Sequence, residues 1–134
     1  MKLILNLSFF ALFLTSCGAQ TQNESGAANT SNDPANQQIC QRIDADQFRA
    51  GIAAGNVQIL DIRTPDELRE GKIDGAININ FYDADFREQV AKLDRNIPVY
   101  VYCRSGGRSQ KAMEVLKELG FSVVYELLGG YMNY

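Results

Sequence analysis

Between residues 39 and 134, short apolar runs alternate with stretches of helical spacing, and this alternation constrains the chain to a parallel α/β layer. The runs Cys40 to Ile43, Val57 to Ile62, Ala76 to Ile79, Ile97 to Tyr102 and Ser122 to Tyr125 predict five strands, with Pro98 at the start of the fourth. Helical punctuation falls between them. Asp44 with Gln47 three residues on reads as an N-cap ahead of Phe48 and Ile52. Thr64-Pro65-Asp66-Glu67 combines a cap, a first-turn proline and a capping-box glutamate, and Gly71 is placed to end that helix. Phe86, Val90 and Leu93 recur at helical spacing behind Asp83 or Asp85. Ala112, Val115, Leu116 and Leu119 form one face of a helix expected over Gln110 to Leu119, with Gly120 at its C′ position. The fold expected is a three-layer α/β/α arrangement around a five-stranded, mostly parallel sheet.

The fourth strand runs directly into Cys103-Arg104-Ser105-Gly106-Gly107-Arg108-Ser109, and a helix follows. Ligands of such sheets bind beyond the carboxyl ends of the strands, which is where Cys103 falls. Gly106 and Gly107 let the loop curl so that backbone N–H groups point inward, and the helix adds the positive end of its dipole. Both favour a thiolate over a thiol. A cysteine so placed, beside Arg104 and Arg108, has a pKa of roughly 3.5–7.5 against about 8.5 when unperturbed.

The chain has no histidine. That removes Ser-His-Asp and Cys-His nucleophile pairs and His-ligated zinc, so any nucleophile must be activated by dipoles and cations. Three cysteines spread as widely as Cys17, Cys40 and Cys103 do not form a zinc site, and neither a metal nor an organic cofactor is expected. A net charge of −3 without a basic stripe argues against a nucleic-acid partner. Arg104 and Arg108 read instead as local anion ligands, with Arg108 the stronger because it closes the loop at the helix start.

The N-terminal part has another purpose. Met1-Lys2 and the apolar run Leu3 to Leu14 have the order of an export signal and are too short for a bilayer span of about 20 residues. Leu14-Thr15-Ser16-Cys17 resembles the lipobox of bacterial lipoproteins, which implies cleavage after residue 16 and a lipid on Cys17 that holds the chain to a membrane on the periplasmic side or the cell surface. Residues 17–38 then form the lipidated N-terminus and a polar tether, the stretch from Gly18 to Gln38 having an end-to-end distance on the order of 25 Å. The folded domain occupies residues 39–134.

Leu60-Asp61-Ile62-Arg63-Thr64-Pro65-Asp66-Glu67, Gly71-Lys72-Ile73-Asp74-Gly75-Ala76-Ile77-Asn78, the Cys103 loop and Leu128-Gly129-Gly130 follow one another in an order that resembles the rhodanese-like family of sulfurtransferases. The resemblance covers roughly residues 39 to 134. It implies a five-stranded parallel sheet and a persulfide carried on Cys103. Two departures stand out: Lys72 occupies the family's usual histidine position, and the chain stops at Tyr134 where the family continues a helix, so a looser C-terminal edge is expected.

On this reading Cys103 takes a sulfane sulfur from a small anionic donor such as thiosulfate and passes it to a thiol or cyanide. The N–H groups from Arg104 to Ser109, through Ser105, Gly106 and Gly107, hold the charged sulfur, and the two arginines attract the donor. Asp61 and Arg63 are supporting residues at the same sheet edge. They also admit a plainer reading, with Asp61 bonding backbone in a turn and Arg63 pairing with Glu67 on a helix surface. Cys40 reads as a small buried hydrophobe, although an oxidising location leaves a Cys40–Cys103 disulfide open. The alternatives are a thiol redox or persulfide-binding module without turnover, and a phosphatase or arsenate reductase. Only four residues separate Cys103 from Arg108, where those enzymes use five, so the ring suits a single sulfur better than a phosphate.

Overall fold

A computed structural model describes residues 37–134; the expected export signal, Cys17 and nearly all of the tether lie outside the described residues. Five strands form one sheet: β1 (Ile39–Ile43), β2 (Gln58–Asp61), β3 (Ile77–Asn78), β4 (Val99–Tyr102) and β5 (Val123–Leu127). Their order is β1-β5-β4-β2-β3, and every pairing is parallel. Parallel neighbours need crossovers, and the segments between strands supply α1 (Ala45–Ala53), α2 (Phe86–Val90) and α3 (Gly107–Glu118).

Side-chain alternation along the strands builds two cores. Leu60, Ile62, Val99, Val101, Cys103 and Val124 face α2 and α3, where Phe86, Val90, Ala112, Met113 and Leu116 meet them. On the opposite face Ile43, Tyr100, Tyr102 and Leu127 pack with Phe48 of α1 and with Ile73 and Ala76. Gly51 of α1 lies against Tyr100, and any Cβ at that position would overlap the phenol ring.

Local signals behave as their chemistry requires. Asp44 and Gln47 form a complete capping box on α1. At the far end of α3, Gly120 adopts φ 83°, its N–H donates to Lys117 O and that of Phe121 donates to Leu116 O, which is the Schellman pattern. Phe121 and Leu116, both fully buried, pack in the same core.

Five expectations are corrected. The Thr64–Glu67 box forms, but it opens a single 3₁₀ turn over Glu67–Glu70, because Gly71 with φ 101° ends it at once. The third strand is only two residues long, and the fifth extends to Leu127. α3 begins at Gly107, three residues before Gln110, because Gly106 in the left-handed region (φ 96°) turns the chain into the helix at that point. The C-terminal edge is well packed: Tyr131 stacks on Tyr102, and Tyr134 packs edge-on against Phe48 and under Arg49.

Candidate active site

Cys103 follows β4 and points to the α3 face, where it is 1% exposed. Its Sγ accepts the Gly106 N–H at 3.1 Å and lies 3.4 Å from Ser109 Oγ. Burial pushes the thiol pKa up, but hydrogen bonds from the Ser109 hydroxyl and from the backbone N–H groups of Ser109, Gly106 and Ser105 outweigh it and hold the thiol below its ordinary value. The first turn of α3 supplies the dipole, its N-terminal N–H groups being free of helical partners.

The start of the loop is clamped from behind. Gly129 and Gly130 both take positive φ, and the next two N–H groups reach the loop: Tyr131 N donates to Cys103 O at 2.8 Å and Met132 N donates to Arg104 O at 3.0 Å. A Cβ on Gly130 would lie 2.5 Å from Cys103 O, so only glycine allows this approach.

The two arginines have different surroundings. Arg108 is mostly buried and gives both terminal nitrogens to Glu67, at 2.6 and 2.8 Å, beneath the ring of Tyr82. The bonds from Arg108 lower the Glu67 pKa to about 2. Arg104 is half exposed and its closest carboxylate, on Glu70, is 3.7 Å away. Of the two, Arg104 has the more available charge, since a pair at that distance in water is weak. Lys72 also has a defined place, donating to Ala76 O at 3.2 Å across the bend it occupies.

Asp61 and Arg63 are fully buried and belong to the opposite sheet face, beside Tyr102. Asp61 accepts the Arg63 backbone N–H, as the turn reading anticipates, and also the Arg63 guanidinium and the Tyr102 hydroxyl. Pairing of Arg63 with the Glu67 carboxylate on a helix surface is not what forms: Arg63 turns inward to Asp61, meets Glu67 and Gly71 at their backbone carbonyls, and lies 4.0 Å from the Tyr131 ring centre. Glu67 is occupied by Arg108. Since Tyr131 caps Cys103 O, the Asp61–Arg63 cluster supports the loop from behind, out of contact with the sulfur.

Cys40 and Cys103 are both free, so the disulfide alternative is not realised; Cys40 is partly buried against the core, and burial raises its pKa. Among the described residues, no group of three or more Cys, Asp or Glu side chains is placed to hold a metal ion.

Sequence reasoning missed Glu126 and Arg42. Glu126 is fully buried, accepts the Ser109 hydroxyl at 2.6 Å and the Arg42 Nε–H at 2.7 Å, and shares the sheet face of Cys103. An acidic residue in the otherwise apolar run Val123 to Leu127 was the available signal.

The domain is an all-parallel α/β layer that presents a buried, thiolate-favouring cysteine at the mouth of its central strand. The chain belongs to the rhodanese-like domain family, whose pattern matches residues 44–134. It is 40% identical over 78 residues to the thiosulfate sulfurtransferase GlpE of Shewanella oneidensis, covering 58% of this chain and 75% of that one. It is 38% identical over 97 residues to a tRNA uridine(34) hydroxylase of Wolbachia, covering 69% of this chain but only 35% of that protein. A rhodanese-related protein from Thermoplasma volcanium superposes with a TM-score of 0.61 at 33% identity, over 69% of this chain and 87% of that one.

Proposed function

We propose that this domain transfers a sulfane sulfur from thiosulfate or a persulfide donor to a thiol or cyanide acceptor through a persulfide on Cys103. The observation that carries the reading is the seating of Cys103 Sγ at the N-terminus of α3, with the Gly106 N–H at 3.1 Å. The thiolate attacks the outer sulfur of the donor, a new S–S bond forms, and the old one breaks with its electron pair leaving on sulfite from thiosulfate, or on a thiolate from a persulfide donor. Acceptor thiolate or cyanide then attacks the outer sulfur of the persulfide, and Cys103 leaves as thiolate. Amide dipoles fixed in advance stabilise the charge in both steps, and a donor of that kind is worth about 3–4 kcal/mol. Arg104, half exposed at the rim, is positioned to meet an anionic donor.

The same ring of four residues between Cys103 and Arg108 weighs against phosphate chemistry. Mass spectrometry after thiosulfate treatment tests the reading: Cys103 gains one sulfur, cyanide removes it, and Cys103→Ser shows neither. An unchanged mass with rapid thiol–disulfide exchange would favour a redox module instead. For the whole chain we propose export and a lipid on Cys17, supported by the residue order from Met1 to Cys17.

A further inference from the structure

Each arginine that borders the cysteine loop already has a carboxylate. Arg108 gives both terminal nitrogens to Glu67 at 2.6 and 2.8 Å, and Glu67, with its pKa at about 2, is ionised at neutral pH. Arg42, whose Nη2 would lie 3.6 Å from a Cβ on Gly106, is bonded to the buried Glu126 at 2.7 Å. Arg63, behind the loop, is bonded to Asp61 at 2.7 Å. Arg104 differs in degree: Glu70 stands 3.7 Å from it, and both are half exposed. Close by, Arg69 pairs with Asp66 at 3.2 Å, and Lys72 gives its ammonium to Ala76 O at 3.2 Å.

Arg42, Arg63, Arg104 and Arg108 against Glu126, Asp61, Glu70 and Glu67 sum to no net charge, and an ionised Cys103 makes the group singly negative. Thiosulfate carries two negative charges. Such a dianion meets only one loosely opposed cation here, whereas a singly charged donor is matched by Arg104 alone.

The rim of the loop is apolar on both sides. Tyr82 is 67% exposed with its ring centre 5.4 Å from the Arg108 guanidinium, and Met132 is 71% exposed with its N–H on Arg104 O. Among the described residues these are the two most exposed large hydrophobic side chains. Tyr82 follows β3 and Met132 follows β5, and β4 with its cysteine lies between those strands in the sheet. Exposed apolar surface of this kind is covered by the body of an organic ligand.

We propose that the donor suited to Cys103 is a singly charged organic sulfane, a persulfide or thiosulfonate, whose apolar group lies between Tyr82 and Met132 and whose charge is met by Arg104, with thiosulfate the poorer donor. This choice of donor rests on sulfur transfer through Cys103. The thiolate bonds to the outer sulfur, the donor's S–S bond breaks, and its electron pair leaves on an organic thiolate or sulfinate in place of sulfite. Contact with the apolar group, remote from the reacting sulfur, adds to binding in the transition state.

Thiosulfate, methanethiosulfonate and benzenethiosulfonate separate charge from bulk: the first has two charges, the second one, and the third one with a phenyl ring. With the full chain and excess cyanide, thiocyanate release gives kcat/KM for each, and peptide mass follows the added sulfur on Cys103. Benzenethiosulfonate should exceed thiosulfate by about tenfold or more, with methanethiosulfonate between them. Glu70→Gln, at a half-exposed side chain, frees Arg104 and should raise kcat/KM about threefold more for thiosulfate than for methanethiosulfonate. Tyr82→Ala and Met132→Ala should each lower it about fivefold more for benzenethiosulfonate than for methanethiosulfonate. Comparing each ratio with that of the parent cancels the inherent reactivity of the donors. Thiosulfate as the best of the three overturns the proposal and leaves sulfur transfer standing, as does an unmoved ratio in Glu70→Gln or in both rim variants. No sulfur on Cys103 with any donor overturns both.

Discussion

Arg108 and Glu67, forty-one residues apart, form a two-pronged ion pair, with Nη2 to Oε1 at 2.6 Å and Nη1 to Oε2 at 2.8 Å. The pair ties the first turn of α3 to the 3₁₀ turn after β2, and Thr64 holds the same carboxylate through its N–H and hydroxyl. Arg108 therefore shapes the wall beside the cysteine loop, while Arg104, half exposed, is only loosely opposed by Glu70 at 3.7 Å.

Acid should release this wall only near pH 2. Arg108 holds the Glu67 pKa at about 2 rather than the ordinary 4.5, so its stabilisation is complete above pH 4.5 and is lost as the pH falls through 2. Urea unfolding at pH 7 should show Glu67→Gln destabilised by about 2 kcal/mol, with the difference from the parent shrinking toward zero as the pH approaches 2. A constant difference across that range would show that the ion pair is not the cause.

Gly130→Ala should disconnect the C-terminal turn from the loop. The new methyl group meets Cys103 O, and φ is 62°, a region where side chains are strained. The expected loss is about 2–3 kcal/mol in denaturant unfolding, accompanied by a several-fold slower alkylation of Cys103, because the carbonyl clamp and the sulfur share one residue.

Substitutions on the other sheet face should separate stability from chemistry. Arg63→Ala leaves the Asp61 carboxylate buried beside Tyr102 with its principal cation gone, at a cost of about 3–5 kcal/mol. Tyr102→Phe removes one donor to Asp61 and the acceptor of the Ile73 N–H, at about 1–2 kcal/mol. With the folded fraction of each variant measured by circular dichroism, sulfur transfer per folded molecule should stay within about threefold for Tyr102→Phe. A hundredfold loss would place Tyr102 in the reaction itself.

Arg104→Ala should weaken the capture of an anionic donor and leave the fold intact. Its charge is half exposed and only loosely opposed by Glu70, so stability should change by less than about 0.5 kcal/mol. The KM for thiosulfate should rise several-fold, and the effect should fade as salt is added. A variant with unchanged KM at low salt would remove Arg104 from donor binding.

Cys17→Ser tests the proposed anchor in the full chain. Metabolic labelling with a radioactive fatty acid should mark the parent and not the variant, and the variant should leave the membrane fraction. Equal labelling of both would refute lipid attachment at this position.

The parallel layer, the position of the cysteine loop at the end of β4 and the caps at Asp44 and Gly120 were legible along the chain, because each depends on neighbours within a few residues. So was the thiolate-favouring character of Cys103, which comes from the Ser109 hydroxyl and the backbone N–H groups of the turn and helix start next to it in sequence. The pairings that finish the site were not. Glu67 could be assigned as a capping residue, but its second task with Arg108 depends on how β2 and β4 lie side by side. Arg42 and Glu126 are separated by 84 positions, and only the β1–β5 register makes them neighbours. Spacing along a chain specifies which face a side chain takes, but not what faces it from another strand; that choice is made when the sheet closes and each buried charge must find its counterpart.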